Sequence, residues 1–325
     1  MSPPAARRSR RMRSIALTVI CCLAASPVAI AEEPQPEPGV TVRYDDGLLV
    51  ETGDGNFSTR INWRAQFRLT DLSSDELVGE EDGVEEESGF LIRRARFKMK
   101  GHAYRPWLKF KFEYGIAASV MLTLLFDIEQ SEELALWVGQ YKVPYNRERV
   151  DSSGEQQFVD RSIVNTPFTI DRQSGLTLTG RLFAGKRTDS SYAVGWYTGT
   201  GRGGELDNEQ QGMYVGRWQW NFLGRLLPFS QSDIARYPEG RGSLALAAAS
   251  NTGRFTAFSS SGGGQLPGFD ETDEPGRYRL DQWMAELAYM RRGLSLQSEY
   301  HFKKIDDRVA QQITELEGWY GQVGY

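Results

Sequence analysis

A membrane-spanning antiparallel β-barrel is the architecture that this 325-residue sequence predicts, and three observations carry the prediction. Apolar and polar residues alternate over runs of about ten residues, the height of a strand that crosses a bilayer. The chain opens on a segment built like an export signal. Long connections between runs are interspersed with very tight ones, as expected when strands return through a membrane with long loops on one rim and short turns on the other.

The export signal comes first. Arg7, Arg8, Arg10, Arg11 and Arg13 form a basic head, residues 15–30 are mostly apolar, and Ala29-Ile30-Ala31 supplies a small-x-small cleavage site. That three-part order predicts a secretory signal peptide over residues 1–31. Its apolar stretch, broken by Ser26 and Pro27, is short for a membrane anchor. Both cysteines, Cys21 and Cys22, fall inside it, so the exported chain is predicted to carry no disulfide, Cys-ligated metal or Cys nucleophile. Removing five arginines and no acid leaves 33 basic against 43 acidic residues, and the net charge moves from −5 to −10. An acidic chain argues against nucleic acid as a partner. It leaves anion binding open, because a pore responds to the charges that line it more than to the total.

Mean hydropathy is −0.48, and beyond the signal no run approaches the roughly 18 apolar residues of a membrane helix. A membrane barrel averages to a polar value in the same way, because its strands alternate. Residues 32–46 begin Pro- and Glu-rich and read as a leader, and residues 47–325 read as one β domain. Its clearest strand is 61–70, where Ile61, Trp63, Ala65, Phe67 and Leu69 alternate with Asn62, Arg64, Gln66, Arg68 and Thr70. In 93–101, Ala95, Phe97 and Met99 oppose Arg94, Arg96, Lys98 and Lys100. In 108–114, Leu108, Phe110, Phe112 and Tyr114 oppose Lys109, Lys111 and Glu113. Further runs lie at 120–128, 134–143, 176–183, 192–197, 214–222, 244–249, 283–289, 294–302 and 319–325, with a weaker one around Leu48. These make about thirteen strands, and no segment has a helical period. The connections at 71–88, 144–174 and 250–277 are long, whereas those at 101–106 and 291–293 are tight. A soluble β-sandwich would also alternate, but with shorter strands and without lysines and arginines in runs of four.

Several strings, in order along the chain, resemble the phosphate-selective porin O/P family: "IRRARFKMKGHAYRPW", "LWVGQYKVPYNRER", "FVDRSIVNTPF" followed by "DRQSGLTLTG", then "YAVGWYTGTGR", "GLSLQSEYHFKK" and "GWYGQVGY". The resemblance implies a trimeric outer-membrane barrel of about sixteen strands with an aqueous channel, conducting phosphate or polyphosphate along arginines and lysines. It places Arg64, Arg93 and Arg94 where the family's ladder arginines lie, and it places a constriction loop at 144–174. Lys98 and Lys100 stand where the family is often acidic or small. By the same resemblance "GWYGQVGY" is an internal strand, so the chain is expected to lack the C-terminal strands of a sixteen-strand barrel; the aromatic Tyr325 resembles the last residue of many outer-membrane barrels and keeps a smaller closed barrel as the rival reading.

Alternation gives these charges a physical reading of their own. Turned away from lipid, Arg64, Arg68, Arg94, Arg96, Lys98, Lys100, Lys109 and Lys111 must face the lumen, since each would cost ~2–4 kcal/mol at mid-bilayer. Clustered cations in a narrow throat concentrate anions, and the guanidinium fork suits phosphate oxygens. Arg93 breaks the alternation beside Arg94 and is expected at a bulge or rim. With Lys142, and with the loop residues Arg161 and Arg172, these positions form the candidate anion pathway. Small anions such as phosphate and outer-membrane lipid are the expected partners, with no cofactor and no metal. A non-conducting structural barrel and a weakly selective general porin are the competing readings.

An enzyme is not expected. Gly199, Gly201 and Gly204 spell GxGxxG, but a polar stretch and then a β pattern follow where nucleotide binding needs a helix. His102 and His301, the only histidines, lie far apart with no nucleophile motif near either, and are read as placed at a turn and on a lumen face.

Overall fold

The computed structural model describes residues 39–70, 89–205, 212–259 and 262–325. Residues 1–38, with the predicted export signal and most of the leader, and the acidic connection 71–88 lie outside them.

Fourteen strands form one antiparallel sheet, in the order of the sequence throughout. Its first half comprises β1 (Val40–Tyr44), β2 (Leu48–Thr52), β3 (Ser58–Thr70), β4 (Gly89–His102), β5 (Leu108–Gly115), β6 (Val120–Ser131) and β7 (Leu134–Lys142). The second half comprises β8 (Arg172–Leu182), β9 (Ser190–Tyr197), β10 (Met213–Trp220), β11 (Arg241–Gly253), β14 (Tyr278–Arg291), β15 (Leu294–Asp307) and β16 (Gln312–Gly324). Between β11 and β14, the short strands β12 (Ala257–Ser259) and β13 (Gly262–Gly264) pair with each other in a separate two-stranded sheet. β1 and β16 are the edges of the large sheet, and among the described residues no ladder joins them. This is the all-β, antiparallel architecture of a porin barrel wall.

The thirteen runs seen in the sequence match β2 to β11 and β14 to β16. The additional elements have physical reasons for escaping notice. β1 is five residues long and falls within residues 32–46, and β13 is three glycines with no side-chain period at all. Two single-turn helices, α1 (Arg147–Val150) and α2 (Asn165–Phe168), lie in the connection between β7 and β8 and are too short to show a period of 3.6.

The alternation decides which way each strand faces. Trp63, Phe67, Leu178, Val194, Trp218, Leu246, Trp283 and Trp319 all point outward and are exposed, forming an apolar outer band. On β4 the inward set is Arg94, Arg96, Lys98 and Lys100, paired across to Gln66, Arg64, Asn62 and Arg60 of β3. The register shifts where Gln66 and Phe67 pair with Arg94 and Ile92, so Arg93 is the extra residue of a β-bulge, as its break in the alternation predicts.

The two rims also differ. The turns at 132–133 and 292–293 lie on one rim, and the connections 143–171, 198–212 and 254–277 lie on the other. The division is incomplete: the connection 221–240 is long on the tight-turn rim, and 45–47, 116–119 and 308–311 are short on the other. Both 143–171 and 221–240 fold inward and meet. Arg147 donates through Nη1 to the Pro228 carbonyl (2.7 Å) and lies over the Phe229 ring, and the Gln157 N–H donates to Gln231 Oε1 (2.9 Å).

The hydrophobic core therefore sits inside the barrel wall and to one side. Met213 and Val215 of β10, Ala247 and Ala249 of β11, Leu280 and Met284 of β14 and Ile305 of β15 pack with Phe258 of β12 and with Val143, Tyr145 and Ile170 from the infolded 143–171 connection. The same connection also reaches the far side of the sheet: Ser153 meets Arg64 of β3, and Gln157 Nε2 donates to the Val323 carbonyl of β16 (2.9 Å). One segment touching β3, β10, β14, β15 and β16 requires the sheet to curl around it.

Candidate functional site

Beside the end of β7 and the start of β8, where Tyr141, Val143 and Ile170 enter that core, lies a cavity of about 290 Å³. β4 contributes Arg93, Arg94 and Arg96, the end of β7 Lys142, and the start of β8 Arg172. The infolded 143–171 connection adds Arg149 and Arg161, and the turn after β9 adds Arg202. Eight cationic side chains thus converge from five parts of the chain, and among the described residues no carboxylate lines the space.

Local structure explains how like charges are held so close. Two buried carboxylates behind the cavity act as bridges. Glu113 of β5 takes Arg96 Nη1 at 2.8 Å and Arg172 Nη2 at 2.9 Å. Asp171 takes Arg149 Nε at 2.7 Å and stands 3.5 Å from Arg172 Nη1. Burial pushes the Asp171 carboxyl up, but the guanidinium groups of Arg149 and Arg172 overcome it and hold the group well below the usual carboxylate range. Arg93 stands 4.0 Å from Asp160 Oδ1, and three further cations are bound by neutral oxygens. Arg94 donates to Gln66 Oε1 (2.7 Å), Arg161 to the carbonyls of Glu148 (2.8 Å) and Asp151 (3.2 Å), and Lys142 to the carbonyls of Val150 (3.0 Å) and Asp151 (2.8 Å). Such bonds orient a cation without neutralising it. Burial and the nearby Arg149 push Arg161 down to about 10, with Asp171 and Glu148 opposing.

A second, larger space of about 840 Å³ borders β3 to β5, lined by Arg60, Arg64, Lys98, Lys100 and Lys111 together with Ser152, Gly154 and Glu155. The contact of Arg64 with Ser153 joins the two spaces, since Arg64 lines the larger and Ser153 the smaller. Gly154 stands so near that a Cβ there would meet Arg64 Nη1 at 2.4 Å.

Of the positions the sequence proposes, Arg93, Arg94, Arg96, Lys142, Arg161 and Arg172 come together in the smaller cavity, and Arg64, Lys98, Lys100 and Lys111 in the larger. Arg68 instead pairs with Asp160 (3.3 Å) and Lys109 with Glu129, so neither lines these two spaces. The sequence reading passed over Arg149 and Arg202 as pathway residues. Arg202 sits inside the glycine-rich turn after β9, between Gly201 and Gly203, and Gly199, Gly201 and Gly203 all have positive φ. A single cation set among glycines at the end of a strand was the available signal. Glu286 and Glu299 were likewise unremarkable in sequence, yet Glu286 takes Arg147 Nε (2.9 Å) and Arg217 Nη2 (2.8 Å) at the root of the infolded connection.

An outward apolar band around a lumen lined with cations defines a pore-forming barrel of membranes. A family model described as phosphate-selective porin O and P matches residues 61–325, and the chain belongs to that family. It is a channel family of the bacterial outer membrane. No curated protein matches the chain.

Proposed function

We propose that this protein is an outer-membrane channel for the passive diffusion of small anions, with phosphate or polyphosphate as the substrate class, after export through a cleaved signal peptide and assembly as a trimer. The observation that carries the reading is the cavity lined by eight cations and no carboxylate. An anion entering a narrow throat loses part of its hydration shell, and guanidinium forks replace it with paired charge-assisted bonds. Passage demands that binding be divided over several sites so that no single one traps the ion. The larger basic space bordered by Arg64, Lys98, Lys100 and Lys111 supplies further sites in series. This placement supports anion-pathway roles for Arg64, Arg93, Arg94, Arg96, Lys98, Lys100, Lys111, Lys142, Arg161 and Arg172, and extends the proposal to Arg149 and Arg202.

Reversal potential across a planar bilayer in a potassium chloride gradient tests selectivity, and added orthophosphate, which should block chloride current, tests the substrate class. Cation selectivity would refute the reading. Equal permeability to both ions would favour the general porin, and absence of conductance the structural barrel.

A further inference from the structure

Three successive inward side chains of β15, Glu299, His301 and Lys303, are buried against the two single-turn helices of the 143–171 connection. Glu299 holds the first leg, accepting from Asn146 Nδ2 (3.1 Å), from the backbone N–H of Glu148 (2.7 Å) and from His301 Nε2 (3.0 Å). His301 stacks on Phe168 of α2, with ring centroids 5.3 Å apart and planes 18° from parallel. Lys303 holds the second leg, its Nζ donating to the carbonyls of Pro167 (2.8 Å) and Thr256 (2.7 Å). A fully buried ammonium bonded to carbonyls, with no ion pair to a carboxylate, is a costly way to fill space. Two carbonyls in separate segments, bound by one cation, are however tied together in a way that an apolar side chain cannot achieve.

The route from this grip to the cavity is short. Glu148, fixed by its N–H on Glu299, accepts with its carboxylate from the N–H and hydroxyl of Ser162 (both 2.7 Å). Its carbonyl accepts from Arg161 Nε (2.8 Å). Arg149 follows in the same helical turn, and both arginines line the basic cavity.

We infer that Glu299, His301 and Lys303 are positioning residues for the pore: by gripping both legs of the infolded connection they fix Arg149 and Arg161 in the ion path. The consequence for conduction rests on the anion-channel reading, whereas the mechanical part stands without it. The test uses the full chain, refolded and reconstituted, with Lys303→Met, Glu299→Gln and Glu299→Ala. Lys303→Met conserves volume and removes only the donor, so the barrel should still assemble. Losing a charge-assisted bond should speed amide exchange in the leg it held by roughly tenfold or more, at 165–170 in Lys303→Met and at 146–150 in Glu299→Ala. Glu299→Gln should be intermediate, because its amide oxygen still accepts the Glu148 N–H. The two stronger variants should also show more open-channel noise and a reduced anion preference. Parental exchange rates in assembled Lys303→Met and Glu299→Gln would overturn the grip, even if Glu299→Ala failed to assemble. Faster exchange with parental selectivity would overturn its role in placing Arg149 and Arg161. Faster exchange in a protein that conducts nothing in any form would support the grip and sink the channel reading instead.

Discussion

Replacing Glu113 by glutamine should strengthen anion preference. This carboxylate lies behind the basic cavity, within 2.9 Å of both Arg96 and Arg172, so it cancels field that an anion would otherwise feel. A unit charge at roughly 5–8 Å contributes about 0.5 kcal/mol if water fills the throat and up to about 3 kcal/mol at an effective dielectric of about 20. Removing it should therefore raise anion affinity by roughly two- to a hundredfold. The amide oxygen still accepts from one guanidinium, which limits the cost of leaving Arg96 and Arg172 side by side. In a salt gradient the reversal potential should move toward the anion's equilibrium potential. Single-channel current in phosphate should fall, because a tighter site releases its ion more slowly. A reversal potential that is unchanged, or that moves toward the cation, would mean that the anion path does not pass Glu113.

The carboxyl of Asp151, buried in the infolded connection, is pushed up to about 7 by burial first; Arg147 and Lys142 oppose the shift, and Glu286 and Glu299 reinforce it. Its folded value lies above its ordinary 3.8, so its contribution to the order of the segment is complete below about pH 4 and is lost as the pH rises through about 7. Amide exchange over 143–171 should accordingly be slower near pH 5.5 than near pH 8 after correction for intrinsic rates, and Asp151→Asn should reduce the difference to the part due to Glu148, whose carboxyl burial also pushes up. Gly139 has φ +128° and a Cβ there would meet the Leu124 carbonyl at 2.1 Å, so Gly139→Val should break the β6–β7 ladder and lower the yield of folded barrel in refolding assays. Leu178 faces outward from β8, and Leu178→Arg should destabilise the inserted barrel by up to ~2–4 kcal/mol in denaturant titrations, depending on its depth in the bilayer.

The wall of this protein was legible in its sequence because a strand with lipid on one side and cations on the other must alternate, and 61–70 does so without a break. Arg93 could be assigned to a bulge or rim for the same reason, as the one residue out of step. What the pattern cannot hold is pairing across long separations. That Arg172 and Glu113 meet, or that Asp171 sets Arg149, depends on a connection folding back into the lumen, which leaves no period in the chain. Arg68 and Lys109 illustrate the converse: alternation turns them inward, but the acids that meet them, Asp160 and Glu129, come from other segments. The buried apolar cluster was hidden as well, because on the inward faces of β10 and β14 Met213, Val215, Leu280 and Met284 lie among buried polar residues such as Arg217, Gln219, Gln282 and Glu286, so that face does not read as apolar.

That off-centre cluster makes the molecule mechanically two-sided. Along β10 to β15 the wall is backed by packed protein, so a thermal fluctuation there must move a solid filling. Along β3 to β6 the wall borders open space and is braced at a few points, chiefly through Arg64, Arg68 and the bridges at Glu113. Breathing of the barrel should therefore concentrate along the proposed anion path. A crowbar inserted as a bulky side chain would jam the packed half and merely narrow the other, so one molecule offers both the tolerance of a pipe and the intolerance of a globular core.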